Sequence, residues 1–332
     1  MNAVVAMVPV IAFLLLLQIM DSFKLVKPAS VLTAILTGGV VALLCLALHD
    51  WVVDASGLDL TLFSRYVAPV TEETLKAGFL AYLLLAGRVG FLVDAAVQGF
   101  AVGTGFALVE NVDYLRHLGG AGLSLWLVRG LGTAMLHGAT TSVFAMVAKT
   151  LVDRQSGRKI VALLAGLAIA IFVHSAFNHV LLPPFAMTAL LLLVLPIVIV
   201  LVFQRSEAAT REWMGTGLDL ELELLALVKS EHFMLTRFGR YLRELRARFG
   251  GLVVADMFCL LRLEIELSVE ARALIMAREA GLEIPVTADR KATLEELAYL
   301  RRSIGPTGLL ALKPLQVTSD RDKWHRHLLA RA

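Results

Sequence analysis

Residues 160–181 read IVALLAGLAIAIFVHSAFNHVL. The run is nearly all apolar and long enough to cross a bilayer, whose hydrocarbon core takes roughly 20 residues of helix. It nevertheless carries His174 and Asn178, four residues apart and therefore on one helix face. Six further stretches have the length of a span: 3–20, 30–49, 66–87, 89–115, 123–148 and 185–203. The pattern predicts an all-α fold, a polytopic membrane helix bundle of about seven spans. The composition agrees. The 332 residues are 58% apolar and 18% charged, with mean hydropathy +0.76, whereas a soluble domain is about 25% charged. An ordinary soluble enzyme, a disordered chain and a strongly basic nucleic-acid binder are excluded.

Charge is unevenly spread. Residues 1–204 hold 11 basic and 10 acidic groups; residues 205–332 hold 20 and 18. Two domains are expected: a transmembrane domain over 1–204 and a small helical cytoplasmic domain over 205–332. The near-balance of the second gives no electrostatic pointer to a polyanion, and no nucleic-acid partner is expected. In its first helical run Phe238, Leu242, Leu245 and Phe249 form one apolar stripe. Gly250-Gly251 breaks that run, and a second amphipathic run covers 252–280 up to Pro285. Thr293 and Glu296 have capping-box spacing before a third helix, which Gly305-Pro306 stops. An antiparallel helical hairpin is expected there, serving as an appendage or for partner binding or self-association. The two cysteines, Cys45 and Cys259, offer no disulfide framework. The first 20 residues lack a basic start and an A-x-A site, so they read as a retained span.

Short loops set orientation through Lys and Arg. Lys24, Lys27, Arg88, Lys149, Arg154, Arg158 and Lys159 fall on one side of a seven-span chain, and only Arg65 and Arg116 fall on the other. The N-terminus is therefore expected outside and the C-terminus in the cytoplasm.

A charge at the bilayer centre costs at least about 2.5–3.5 kcal/mol, so ionisable groups within spans face one another or a wet cavity. Glu72, Glu73 and Lys76 share one span. Glu110 and Asn111 lie on the next. Arg129, Thr133, His137 and Thr141 form a ladder at spacing four on the third, and His174 and Asn178 stand on the fourth. With helix rise of 1.5 Å per residue, Glu72, Glu110, Arg129 and His174 each lie about 8–15 Å from the outer end. One shared site in the outer half of the membrane fits all four. Gly99 and Gly103 form a small-residue packing motif that brings Glu110 near its neighbours.

These residues resemble the motifs of the PrsW-type intramembrane proteases. Pro69-Val-Thr-Glu72-Glu73-Thr-Leu-Lys76 is similar to E-E-x-x-K, and Phe106-Ala-Leu-Val-Glu110-Asn111 to F-x-x-x-E-N. Arg129 with His137, and His174-Ser-Ala-Phe-Asn178, are similar to the third and fourth motifs. The order and spacing match over roughly 66–181. The resemblance implies a multi-pass bacterial cell-membrane protease that cuts membrane-anchored proteins, with anti-sigma factors as a substrate class. It also implies a distant kinship to CAAX-processing endopeptidases, from which Lys76 and Glu110 depart.

No serine or cysteine is paired with a base, so an activated water is the expected nucleophile. The resemblance points to Glu72 as base with Glu73 beside it. His174 and Asn178 are expected to serve the oxyanion, while Glu110 and His137 orient the water. Lys76, Arg129 and Asn111 support them. The same groups suit zinc, with Glu110, His137 and His174 as candidate ligands, although H-E-x-x-H spacing is absent. The cofactor expectation is therefore none or zinc. A proton- or ion-coupled transporter also uses membrane carboxylates and histidines, and a receptor with the tail as effector is a third reading.

Overall fold

The computed structural model describes residues 1–154, 158–282, 288–315, 324, 328 and 329. Helices make up the whole architecture, with no strand among the described residues. The chain divides into two compact units, Met1–Glu207 and Ala208–Ala332.

The first unit contains α1 (Asn2–Met20), α2 (Pro28–Ser56), α3 (Ala68–Leu85), α4 (Leu92–Leu118), α5 (Leu123–Arg154), α6 (Lys159–Asn178) and the first part of α7 (Pro184–Lys229). A helix thus stands at each of the seven expected stretches. Six of them are long and apolar enough to cross a membrane. Helix α3 is set apart because Glu72, Glu73 and Lys76 charge its 18 residues. The protein is a multi-pass membrane protein.

Helices α4 and α5 form the centre. Their apolar windows are 83% and 78% buried, against 17–33% for α1, α2, α6 and α7. The outer helices leave Leu36, Leu43, Phe172 and Leu193 exposed, as lipid-facing side chains require. The central pair can approach closely because α4 presents glycine. A Cβ on Gly99 would come within 2.7 Å of the Ser142 Cα, and one on Gly103 would overlap the His137 carbonyl. Across this contact the Ser142 hydroxyl donates to the Ala96 carbonyl at 2.8 Å. The small-residue motif therefore fixes where His137 sits relative to α4.

Two π-helical turns interrupt the regular pattern, Phe63–Val67 before α3 and Val128–Thr133 within α5. The first follows a short turn capped by Asp59, whose carboxylate accepts from the backbone N–H groups of Thr61 and Leu62. The cause of the irregularity lies next to it. Pro69 has no N–H, so the carbonyls of Arg65 and Ser64, one α turn and one π turn back, get no donor from that position. Both are satisfied from α6 instead: the Ser175 hydroxyl donates to Arg65 at 2.7 Å and Asn178 Nδ2 to Ser64 at 2.8 Å. The second π turn breaks the expected ladder. Arg129 and Thr133 lie inside it, while His137 and Thr141 lie in the α-helix beyond.

In the second unit, α8 spans Arg237–Glu279 and α9 spans Ala288–Leu312. The glycine breaks are kinks at Gly250 (φ 75°) and Gly305 (φ 69°), in the left-handed region that glycine tolerates. The pairs Arg290–Glu270, Arg301–Glu264, Ser303–Asp256 and Tyr241–Ala311 run in opposite order along the two helices, so α8 and α9 are antiparallel. The expected cap at Thr293 is replaced by an earlier start, and Thr293 lies within α9. Arg290 ties that first turn to Glu270 at 2.6 Å. Pro285 lies outside the described residues. From the end of α7, Glu221 holds the Arg272 guanidinium with both carboxylate oxygens at 2.9 Å.

Candidate active site

The four polar stripes converge. Glu73 is the hub on α3, and its Oε1 accepts from Lys76 Nζ at 2.5 Å, from His174 Nδ1 at 2.8 Å and from the Thr140 hydroxyl at 3.0 Å. Lys76 is fully buried. Its ammonium also lies 3.2 Å from His137 Nδ1 and 4.7 Å from the centre of the Phe106 ring. A buried ammonium needs such partners, since isolated charge in an apolar interior is strongly disfavoured.

These contacts fix the histidines. His174 places Nδ1 2.8 Å from Glu73 Oε1 and its other nitrogen, Nε2, 4.0 Å from Glu72 Oε2. His137 lies with Nε2 3.0 Å from Glu110 Oε2 and Nδ1 3.8 Å from Glu72 Oε2. Each ring thus has one nitrogen on a carboxylate and the other turned toward Glu72. Glu72 Oε2 itself is buried and has no hydrogen-bond partner.

Glu110 is steered from its own side of the cluster. Its Oε2 pairs with Arg129 Nη2 at 3.0 Å. Arg129 donates through Nε to Asn111 Oδ1 at 2.9 Å and lies over the Tyr114 ring at 3.4 Å. Asn111 in turn donates to the Ala6 carbonyl of α1 at 2.8 Å.

A cavity of about 700 Å³ reaches this cluster, lined by Glu72, Glu110, Arg129, His137, His174 and Asn178 among others. Its remaining walls include Leu60, Phe63, Leu118, Val128 and Pro184. These residues stand just before α3, near the N-terminal ends of α5 and α7 and at the C-terminal end of α4, so the cavity lies toward one end of the unit. Glu73 and Lys76 lie behind it.

The sequence residues are distributed as follows. Glu72, Glu73, Lys76, Glu110, Asn111, Arg129, His137 and His174 form one connected cluster. Asn178 is at the cavity wall, but its Nδ2 is given to the Ser64 carbonyl. His174 lies against both carboxylates of α3, with Nδ1 2.8 Å from Glu73 Oε1 and Nε2 4.0 Å from Glu72 Oε2. The histidine pair is completed by Glu72 rather than Glu110. Ligand atoms of Glu72, His137 and His174 lie within 4.8 Å of one another, whereas Glu110 is engaged with Arg129 and His137. Sequence reasoning missed Thr140, Tyr114 and the Ala6 carbonyl. Thr140 stands three residues after His137 and Tyr114 four after Glu110, so helical spacing marked both; nothing local marked a backbone carbonyl.

The Glu72–His137–His174 group suits a divalent metal. The orphaned Glu72 oxygen and two imidazole nitrogens form a usual catalytic zinc set. Each histidine is oriented by a second carboxylate, the arrangement that metal-ligating imidazoles favour. One contact competes, since Lys76 occupies the His137 nitrogen nearest Glu72.

A model of the family described as PrsW family intramembrane metalloprotease matches residues 27–203, more than half of the chain. No curated protein and no solved structure matches it.

Proposed function

The chain belongs to the PrsW family of intramembrane metalloproteases, and from that premise we propose that it is an endopeptidase cutting a membrane-anchored protein near the extracytoplasmic face, with water activated at Glu72. An anti-sigma-factor-like regulator is the substrate class that the family resemblance suggests. The observation that carries this reading is the unpartnered Glu72 oxygen, buried but lining the cavity and facing two imidazole nitrogens. It is the place in the cluster where a water finds an acceptor that no protein group already uses.

In this reading Glu72 takes the proton of the attacking water, and that proton later goes to the leaving amine. His174 Nε2 and Glu72 together orient the water. Glu73, Lys76 and Thr140 act from behind by holding His174, so they are positioning residues. Glu110 and Arg129 stand on the cavity wall, and the Arg129 guanidinium is the cationic donor there for the developing oxyanion. Glu72, His137 and His174 would be the residues to hold a zinc ion, which would supply Lewis acidity at this end of the cavity.

The expected cleavage position follows from orientation and chain chemistry. With the N-terminus outside, the cavity end of the unit faces the extracytoplasmic side. A helical substrate keeps its carbonyls bonded within the helix, and unsatisfied backbone is costly in lipid. The end of a substrate span, or a place loosened by Gly or Pro, exposes a peptide bond at least cost. The test is mass spectrometry of products from single-span substrates reconstituted with the full chain. Scissile bonds within about two helical turns of the outer boundary support the reading. Bonds at the bilayer centre or the cytoplasmic end overturn it.

A further inference from the structure

The charge balance of residues 208–332 hides a segregation. The segment of α8 before its Gly250 kink, residues 237–249, carries Arg237, Arg240, Arg243, Arg246 and Arg248 against Glu244 alone. Its formal charge of +4 exceeds the +3 of the whole chain. All five arginines are exposed, and Leu242 and Leu245 are buried. At 100° per residue the arginines cover the face opposite that buried stripe. Arg237, Arg240, Arg246 and Arg248 have no carboxylate partner among the described residues, whereas Arg272, Arg290 and Arg301 of the same unit are all paired with glutamates. The exposed basic face is therefore not part of the ion-pair scaffold that holds the unit together.

Large apolar side chains flank this segment at both ends. Before it, the turn Phe233–Leu235 buries Phe233 but leaves Met234 and Leu235 exposed, and the Arg243 guanidinium fastens the turn by donating to the Met234 carbonyl. After it, the kink at Gly250 leads to Leu252, 87% exposed. A basic stripe bracketed by bulky apolar residues matches an anionic membrane surface, where arginines meet phosphates and the apolar side chains enter the interface.

We propose that residues 234–252 form a docking surface for anionic phospholipid headgroups. The occupant is argued from charge complementarity and from the exposed Met234, Leu235 and Leu252, which an acidic peptide or nucleic acid would leave in water. The inference does not depend on the protease reading.

The test uses the full chain, with Cys45 and Cys259 replaced by alanine and Leu252→Cys labelled with an environment-sensitive fluorophore. It is reconstituted into vesicles of brominated phosphatidylcholine alone, or with about a third phosphatidylglycerol. Quenching should be several-fold stronger in the anionic vesicles and should be released by about 0.5 M salt, which shortens the screening length to a few ångströms. An arginine near an anionic surface strengthens binding about fivefold, so Arg240→Gln, Arg246→Gln and Arg248→Gln together should weaken docking about a hundredfold, to the level of the neutral vesicles. The three lysine replacements should retain it. If the glutamine variant fails to fold, the salt and lipid comparisons on the labelled parent decide. Equal quenching in the two vesicles, absence of quenching, loss of docking in the lysine variant, or capture of an oligonucleotide through these arginines in place of lipid would overturn the proposal.

Discussion

Replacement of Lys76 by methionine removes a fully buried ammonium while keeping most of its volume. In the wild type that ammonium contacts Glu73 at 2.5 Å and His137 at 3.2 Å, and lies over Phe106. Without it, Glu73 retains donors from His174 and Thr140, but its charge stays buried with no full countercharge. Breaking one partner of a buried pair typically costs about 3–5 kcal/mol. Two of the three donors to Glu73 survive, so the lower end, about 3 kcal/mol, is expected for Lys76→Met. Glu73→Gln alone strands the ammonium and should cost a similar amount. The double variant removes both charges, and the carboxamide oxygen introduced at position 73 can still accept from His174 and Thr140. It should lie within about 1–2 kcal/mol of the wild type, so the coupling is several kcal/mol. Reversible unfolding in mixed micelles, followed by helical circular dichroism, measures all four corners of the cycle. Single variants costing under about 1 kcal/mol, or a double variant equal to the sum of the singles, would refute the view that Glu73 and Lys76 are a mutually dependent buried pair.

Gly103→Ala should destabilise by about 1–3 kcal/mol through overpacking and also lower cleavage, because the added methyl meets the His137 carbonyl; Gly78→Ala, with nothing within 4 Å, is the control that should leave both unchanged. Cysteine labelling of intact cells should succeed at an engineered position in 57–60 and fail at Arg158→Cys; the reverse would invert the orientation. Elemental analysis of purified protein should find zinc near stoichiometric and lost in His137→Ala and His174→Ala, if the Glu72–His137–His174 group holds it; zinc absent from active wild type would leave Glu72 acting on water directly.

Much of this arrangement was legible from local chemistry. The seven helical stretches follow from apolar length, and the cluster follows from carboxylates, imidazoles and cations that cannot face lipid. Gly99 and Gly103 announced a close contact, and the structure gives that contact to α5. What stayed hidden depends on partners distant in sequence. Nothing near Asn178 indicates that it serves the Ser64 carbonyl, because the need arises from Pro69 on another helix. The π turn at Val128–Thr133 breaks a spacing-four ladder that reads well on paper, since helical periodicity assumes an unbroken α pattern. The choice of Glu72 over Glu110 as third member of the histidine group turns on Arg129, whose direction is set by Asn111 and, through it, by the Ala6 carbonyl. Thr293 lies inside α9, and the Arg290–Glu270 pair on the turn before it joins residues 20 apart, which local capping spacing does not show.

In the proposed function Glu72 activates the water that cuts the substrate. The most direct test is the cleavage rate of a single-span substrate by Glu72→Gln in bilayers, with folding of the variant checked by its unfolding transition. Loss of a general base costs about 10²–10⁴-fold, so a fall of at least about a hundredfold with an unchanged transition is expected. Retention of more than about a tenth of the wild-type rate would contradict it.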